Sequence, residues 1–153
     1  AFVCFVDLPG NVPHFAKGMM SPLTVTPSTA TAAAPASDIS IGLNDYAFTL
    51  SAPLTAGTHT FSVTNSANQP HEVEFIHLAP GKTAQDFLNW MQAPNGPPPG
   101  NAIGGYTAVA RPATGSFTLE LTPGDYLIVC FLPDAKDGKP HVMHGMMRTD
   151  HVS

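Results

Sequence analysis

Charge is scarce in this chain. Only 11% of its 153 residues are Asp, Glu, Lys or Arg, against about 25% in ordinary globular domains. Basic residues are the scarcest: 6 Lys and Arg face 11 Asp and Glu, for a net charge of −5. A nucleic-acid binder needs a basic stripe to neutralise phosphates, so that class is excluded. No apolar run approaches the ~20 residues of a membrane-spanning helix. There is no Cys-x-x-Cys-His sequence to attach a haem and no Gly-x-Ser-x-Gly nucleophile motif. The opening Ala1-Phe2-Val3-Cys4 lacks the basic stretch of a secretory leader, so a mature, processed or truncated start is expected.

The chain does have a hydrophobic content of 43%, enough to bury a core, with 16 prolines and 13 glycines. Low charge with abundant Thr, Pro, Gly and Ala is common in extracytoplasmic β proteins, and a periplasmic or extracellular location is the expectation.

An internal repeat organises the rest. Val3-Cys4-Phe5, Pro13-His14 and Gly18-Met19-Met20 recur, with one gap, as Val129-Cys130-Phe131, Pro140-His141 and Gly145-Met146-Met147. One copy closes a full domain's worth of chain; the other stands at the beginning. The repeat therefore predicts that residues 1–28 are the C-terminal strands of a preceding domain. Residues 29–37, small and uncharged, read as a linker, and residues 38–153 as a complete domain.

Strand signals fill that domain. Ile39–Leu43 and Tyr46–Leu50 flank an Asn44-Asp45 turn. Thr58–Asn65 sets Phe61 and Val63 on one side. In His71–Leu78, period two puts His71, Val73 and Phe75 on one face and Glu72 and Glu74 on the other, with His77 continuing the His71 face. Ser116–Leu121 aligns Phe117, Leu119 and Leu121. Asp125–Phe131 is almost wholly apolar, as in a central strand buried on both faces. Thr83 and Asp86 form a capping-box pattern before Phe87, Leu88, Trp90 and Met91, which predicts one short helix ended by Pro94. A long Pro/Gly-rich loop is expected from there to about Gly115. The fold class is all-β, a Greek-key β-sandwich with one inserted helix.

Four residues carry the chemistry: His71, Cys130, His141 and Met146. Two imidazoles and a thiolate in a plane, with a distant thioether, are the donor set of a copper electron-transfer site. The histidine comes early, at a strand start; Cys, His and Met follow together near the end. Each residue taken singly also fits a plain packing role. Zinc would accept the same nitrogen and thiolate donors but gains little from a thioether. A Cys4–Cys130 disulfide is the other use of two cysteines, but equivalent positions of a repeat rarely face each other. Cys4, His14 and Met19 repeat the later three ligands as an incomplete half-site. His144 lies inside the ligand loop as a surface group or rival ligand.

These residues resemble the cupredoxins, or blue copper proteins. The segment from Val63 through Pro70-His71-Glu72 looks like the plastocyanin stretch around its first histidine ligand. Tyr126 through Cys130, and Pro140-His141 through Gly145-Met146, look like the ligand loop. Its Cys-to-His interval is longer than in plastocyanin or azurin and closer to the type 1 loop of copper nitrite reductases. The whole chain is similar to secreted bacterial proteins with two tandem cupredoxin-like domains. The resemblance implies one type 1 copper ion, single-electron transfer with a redox partner protein, and His141 as the route for electrons. Multicopper enzymes of this kind commonly carry a histidine directly before the cysteine; Val3 and Val129 stand there instead, and no His-x-His pair occurs, so no enzyme activity is expected. Two alternatives come from other classes. One is a structural module that self-assembles through its N-terminal strands. The other is copper storage or delivery through the Met/His-rich loop.

Overall fold

Alternating apolar and polar residues, interrupted by turn-forming pairs, lay nearly half of this chain out as short strands. The computed structural model describes residues 1–4, 7, 8, 10, 12–27 and 33–153. Phe5 of the repeat and residues 29–32 of the expected linker lie outside the described residues. The chain divides into two compact units, Ala1–Ala33 and Ala34–Ser153. In the first, β1 (Phe2–Val3), β2 (Asp7–Leu8), β3 (Val12–Pro13) and β4 (Met20–Ser21) form two small antiparallel pairs, β1 with β4 and β2 with β3. A 3₁₀ turn, His14–Lys17, lies between β3 and β4.

The second unit is a sandwich of two four-stranded sheets. Its strands are β5 (Ile39–Asn44), β6 (Ala47–Leu50), β7 (Gly57–Asn65) and β8 (His71–Leu78), then, after the helix α1 (Ala84–Gln92), β9 (Gly100–Val109), β10 (Thr114–Leu121), β11 (Gly124–Val129) and β12 (Met147–Val152). One sheet runs β10-β7-β5-β6, with β5 and β7 parallel; the other runs β12-β11-β8-β9, antiparallel throughout.

The central strand β11 explains its own sequence. Tyr126 and Ile128 point into the sandwich, against Ile41, Phe61, Val63 and Phe75. Leu127 and Val129 point the other way, into a second apolar layer with Ile76, Leu78, Val142 and Phe87 of α1. With period-two side chains and a covered layer on each face, every position is apolar. The helix starts as its sequence predicts: Thr83 accepts from the Asp86 amide while Asp86 accepts from the Thr83 amide.

The expected long loop is overturned in extent. Residues 93–99 are irregular, but Gly100–Val109 is the longest strand, paired along β8. Glycine was a misleading cue there. A Cβ at Gly105 would stand against the Val73 carbonyl, and its φ of 158° is near the extended range. The residue therefore marks a close backbone approach beside a bulged register, not a break. The extra residues of the bulges lie on β9, and β8 keeps its alternation: Val73 and Phe75 enter the inner core, Ile76 and Leu78 the second layer, so both faces are buried along most of its length.

Candidate metal centre

Three separate stretches of chain deliver the site. His71 opens β8 directly after Pro70, and the loop before it is fixed by Asn65. The Asn65 side chain donates to the carbonyls of Gln69 and Val109 and accepts from the Ala67 amide. Cys130 follows the last residue of β11. His141 begins a 3₁₀ turn, His141–His144, closed by Gly145 at φ 89°. Backbone hydrogen bonds lock this turn to the cysteine: the Val142 amide donates to the Cys130 carbonyl at 2.9 Å, and the Cys130 amide to the Met146 carbonyl at 3.3 Å.

The result is a dry convergence of donors. His71, Cys130 and His141 are all 0% exposed. The Cys130 Sγ lies 3.3 Å from His141 Nδ1 and 3.9 Å from His71 Nδ1, and the two Nδ1 atoms are 3.1 Å apart. Met146 is also fully buried and packs in the same apolar cluster as Cys130. Its amide donates to the His141 carbonyl at 3.0 Å, so the thioether belongs to the same locked turn.

Both imidazoles turn Nδ1 inward and Nε2 toward a carboxylate. His71 Nε2 is 3.0 Å from Asp45 Oδ1, which holds the proton on Nε2 and leaves a lone pair facing the cysteine. His141 Nε2 is 3.6 Å from Asp134 Oδ2 and, among the described residues, is the buried side-chain polar atom that lacks a hydrogen bond. Asp134 is itself buried; it accepts from the Tyr46 hydroxyl at 2.5 Å, from the Gln69 amide group and from the Lys136 amide. Tyr46 holds this bond from a left-handed backbone at φ 63°, unusual for a bulky residue and placed beside the site.

Electrostatics follow the burial. Loss of solvent pushes the Cys130 thiol up to about 11, although the Glu72 and Leu132 amides favour its thiolate. Burial, then the neighbouring His71, pushes His141 down. The His71 hydrogen bond holds Asp45 below its ordinary value. Asp134 is held far below the carboxylate range, by the Tyr46 hydroxyl first and then by the Lys136 amide.

A thiol and two inward nitrogens, packed within hydrogen-bonding distances in an apolar shell, share too few protons to satisfy one another. A cation meets that need, and one thiolate with two imidazoles and a nearby thioether suits copper. Both cysteines are free thiols.

Sequence reading missed the supports. Glu72, assigned to a polar face, is buried: its carboxylate accepts from the Phe131 amide and the Thr107 hydroxyl, both at 2.8 Å, tying the residue after His71 to the residue after Cys130. Asp45 and Asp134 carried no motif. His141, which the resemblance offers as the route for electrons, does not itself reach the surface. Its ring is wholly covered, with Tyr46 edge-on at 5.9 Å. His144 stands outside the cluster, 3.1 Å from Asp137 and tilted against Tyr46. His77 stacks on Tyr126 at 4.6 Å.

No family model matches the chain, and no curated protein matches it. Among solved structures it is similar to the dithionite-reduced auracyanin of the photosynthetic bacterium Roseiflexus castenholzii. Identity is 21% over 74% of this chain and 94% of that one, with a TM-score of 0.53. Auracyanin B also matches, at 17% identity over 79% and 93% of the two chains and a TM-score of 0.48. The chain has the cupredoxin fold, two sheets in a sandwich.

Proposed function

We propose that this cupredoxin-fold protein is an extracytoplasmic type 1 copper protein that passes single electrons to and from a partner protein. The observation that carries the proposal is the buried convergence of His71 Nδ1, His141 Nδ1 and Cys130 Sγ from three separate segments. Copper, alternating between its +1 and +2 states, supplies the one-electron chemistry. His71, Cys130 and His141 would hold it, and the buried Met146 would offer a weaker thioether donor.

The chain's own part is to hold those donors still. Asp45 fixes the tautomer and tilt of His71. The Glu72 amide donates to the cysteine sulfur at 3.4 Å, a contact that tunes the potential of such a centre. Glu72's carboxylate keeps β8 and the ligand loop together. Since His141 is covered, electrons would leave through Tyr46, half-buried in a concave surface that it lines with Asp45, Gln69 and Lys136. The extracytoplasmic location rests on the fold and on the low-charge composition.

Addition of Cu(II) to the folded protein tests this. One equivalent is expected to give intense absorption in the red part of the visible spectrum and a reversible one-electron wave. A folded, metal-loaded sample without that band would overturn the reading.

A second reading, self-assembly through the N-terminal strands, draws on the exposed apolar residues Phe2, Met20, Leu23 and Val25. Light scattering decides it: a monomer at working concentrations removes it.

A further inference from the structure

Asp134 is a covered carboxylate without an ammonium or guanidinium partner. Its side chain is 1% exposed. The groups that donate to it are the Tyr46 hydroxyl at 2.5 Å, the Gln69 side-chain amide at 3.1 Å and the Lys136 backbone amide at 2.8 Å. All three are neutral, and donors of this kind favour the ionised carboxylate. Among the described residues, no Lys or Arg side chain comes within 4.0 Å of it. The Lys136 ammonium lies instead over the Tyr46 ring, 6.0 Å from its centre, and the Lys139 ammonium is 3.6 Å from Asp137. His144 stands within 4.8 Å of Asp134, but its Nε2 is taken by Asp137 at 3.1 Å.

That leaves His141. Its Nε2 is 3.6 Å from Asp134 Oδ2, its ring is 0% exposed, and this nitrogen has no hydrogen-bond partner. Its other nitrogen, Nδ1, faces the Cys130 sulfur at 3.3 Å. A carboxylate taken out of water is costly unless an opposite charge meets it. Here the opposite charge can reach it through the His141 ring, from a cation on the Cys130 side.

We infer that Asp134 is the built-in counter-charge of the buried centre and makes that centre prefer a divalent cation over a monovalent one. The inference rests on the proposed reading that Cys130 and His141 hold a cation. A fixed negative charge attracts a cation in proportion to the cation's own charge, so Asp134 stabilises a divalent ion about twice as much as a monovalent ion in the same place. Because it is buried, dissolved salt screens it little. For copper the effect weights the +2 over the +1 state and lowers the reduction potential. Asp134 acts through the His141 ring, as a positioning residue. Asp45 backs His71 but is 40% exposed, so water weakens its charge.

Two redox-silent ions test this, Cd(II) as the divalent and Ag(I) as the monovalent probe. Their affinities are measured by competition in the full chain carrying Cys4→Ser, so that Cys130 is the one remaining thiol and its thiolate absorption reports binding. Asp134→Asn keeps an acceptor oxygen and removes the charge. It is expected to lower the preference for Cd(II) over Ag(I) at least about tenfold. The same tenfold shift between Cu(II) and Cu(I) raises the reduction potential by about 59 mV. A merely structural role would weaken both ions alike, so an unchanged preference, with or without a parallel loss of affinity, overturns the inference. A parent protein that binds neither ion at Cys130 overturns the proposed function, and the inference falls with it. Nitrogen NMR of the Cd(II)-loaded protein with Asp134 intact gives a second check, independent of how Asp134→Asn folds. His141 is expected to carry its proton on Nε2, in slow exchange with water. A metal-bound Nε2 would put the ion on the wrong side of the ring and overturn the inference.

Discussion

His71 and His141 meet Nδ1 to Nδ1 at 3.1 Å across 70 residues of sequence. The contact is enforced from behind. Asp45 grips the far nitrogen of one ring, and the buried carboxylate of Asp134 faces the far nitrogen of the other. Swinging His71 away breaks a charge-assisted hydrogen bond, and moving His141 breaks the backbone hydrogen bonds that lock its turn to Cys130 and Met146. In the proposed copper site, a pair of imidazoles fixed this way would keep its geometry between oxidation states, which is what single-electron exchange needs.

Metal uptake is expected to depend on pH through Cys130. Burial pushes its thiol up to about 11, so at neutral pH the free protein holds a proton that the bound state releases. Apparent copper affinity should rise about tenfold per pH unit from about pH 7 to about pH 10. Competition titrations across that range measure the slope. A flat profile would exclude the thiolate as a ligand.

Asp134 gives the fold an acid limit. Its folded-state value lies below the unfolded one, so its stabilisation is complete above the unfolded value of about 4. It is lost as pH falls from there toward the folded value. Urea midpoints of the wild-type protein should drop between about pH 5 and pH 2, and Asp134→Asn should drop less steeply. Asp45, Asp86 and Asp137 are lowered too, so the slope should shrink without vanishing.

Glu72 ties two ligand-bearing strands together. Glu72→Ala removes the acceptor for the Phe131 amide and should cost about 1–3 kcal/mol in urea unfolding. Glu72→Gln retains an acceptor oxygen and should cost less. Equal effects would mean the pairing to Phe131 contributes nothing.

The helix is separable from the site. Thr83→Ala breaks the capping box and should destabilise the domain by about 1 kcal/mol. The copper spectrum should stay unchanged, because α1 packs on the layer containing Leu127 and Val129, away from the cluster of Cys130 and Met146. Thermal unfolding and an optical scan of the same sample check both halves.

The donor residues were legible because their types are chemically rare and their order along the chain is informative. The apolar run of β11 and the cap of α1 were legible because they depend on neighbours in sequence. Gly100–Val109 was not, because a glycine at a close backbone approach has the same local signature as one in a loop. The burial of Glu72 was not legible, because alternation separates the two faces of β8 without showing that Thr107 and Phe131 cover the second.

The sequence by itself determined the candidate donors His71, Cys130, His141 and Met146, the repeat that doubles three of them, and the all-β class. Those rest on side-chain chemistry and on periodicities two to four residues long. Only the tertiary structure decided that Asp45 and Asp134 stand behind the imidazoles, that Tyr46 covers His141, and that Cys130 and Met146 are wholly buried. Burial and carboxylate pairing are set by what packs against a residue from distant strands, and no local pattern encodes which strand that is.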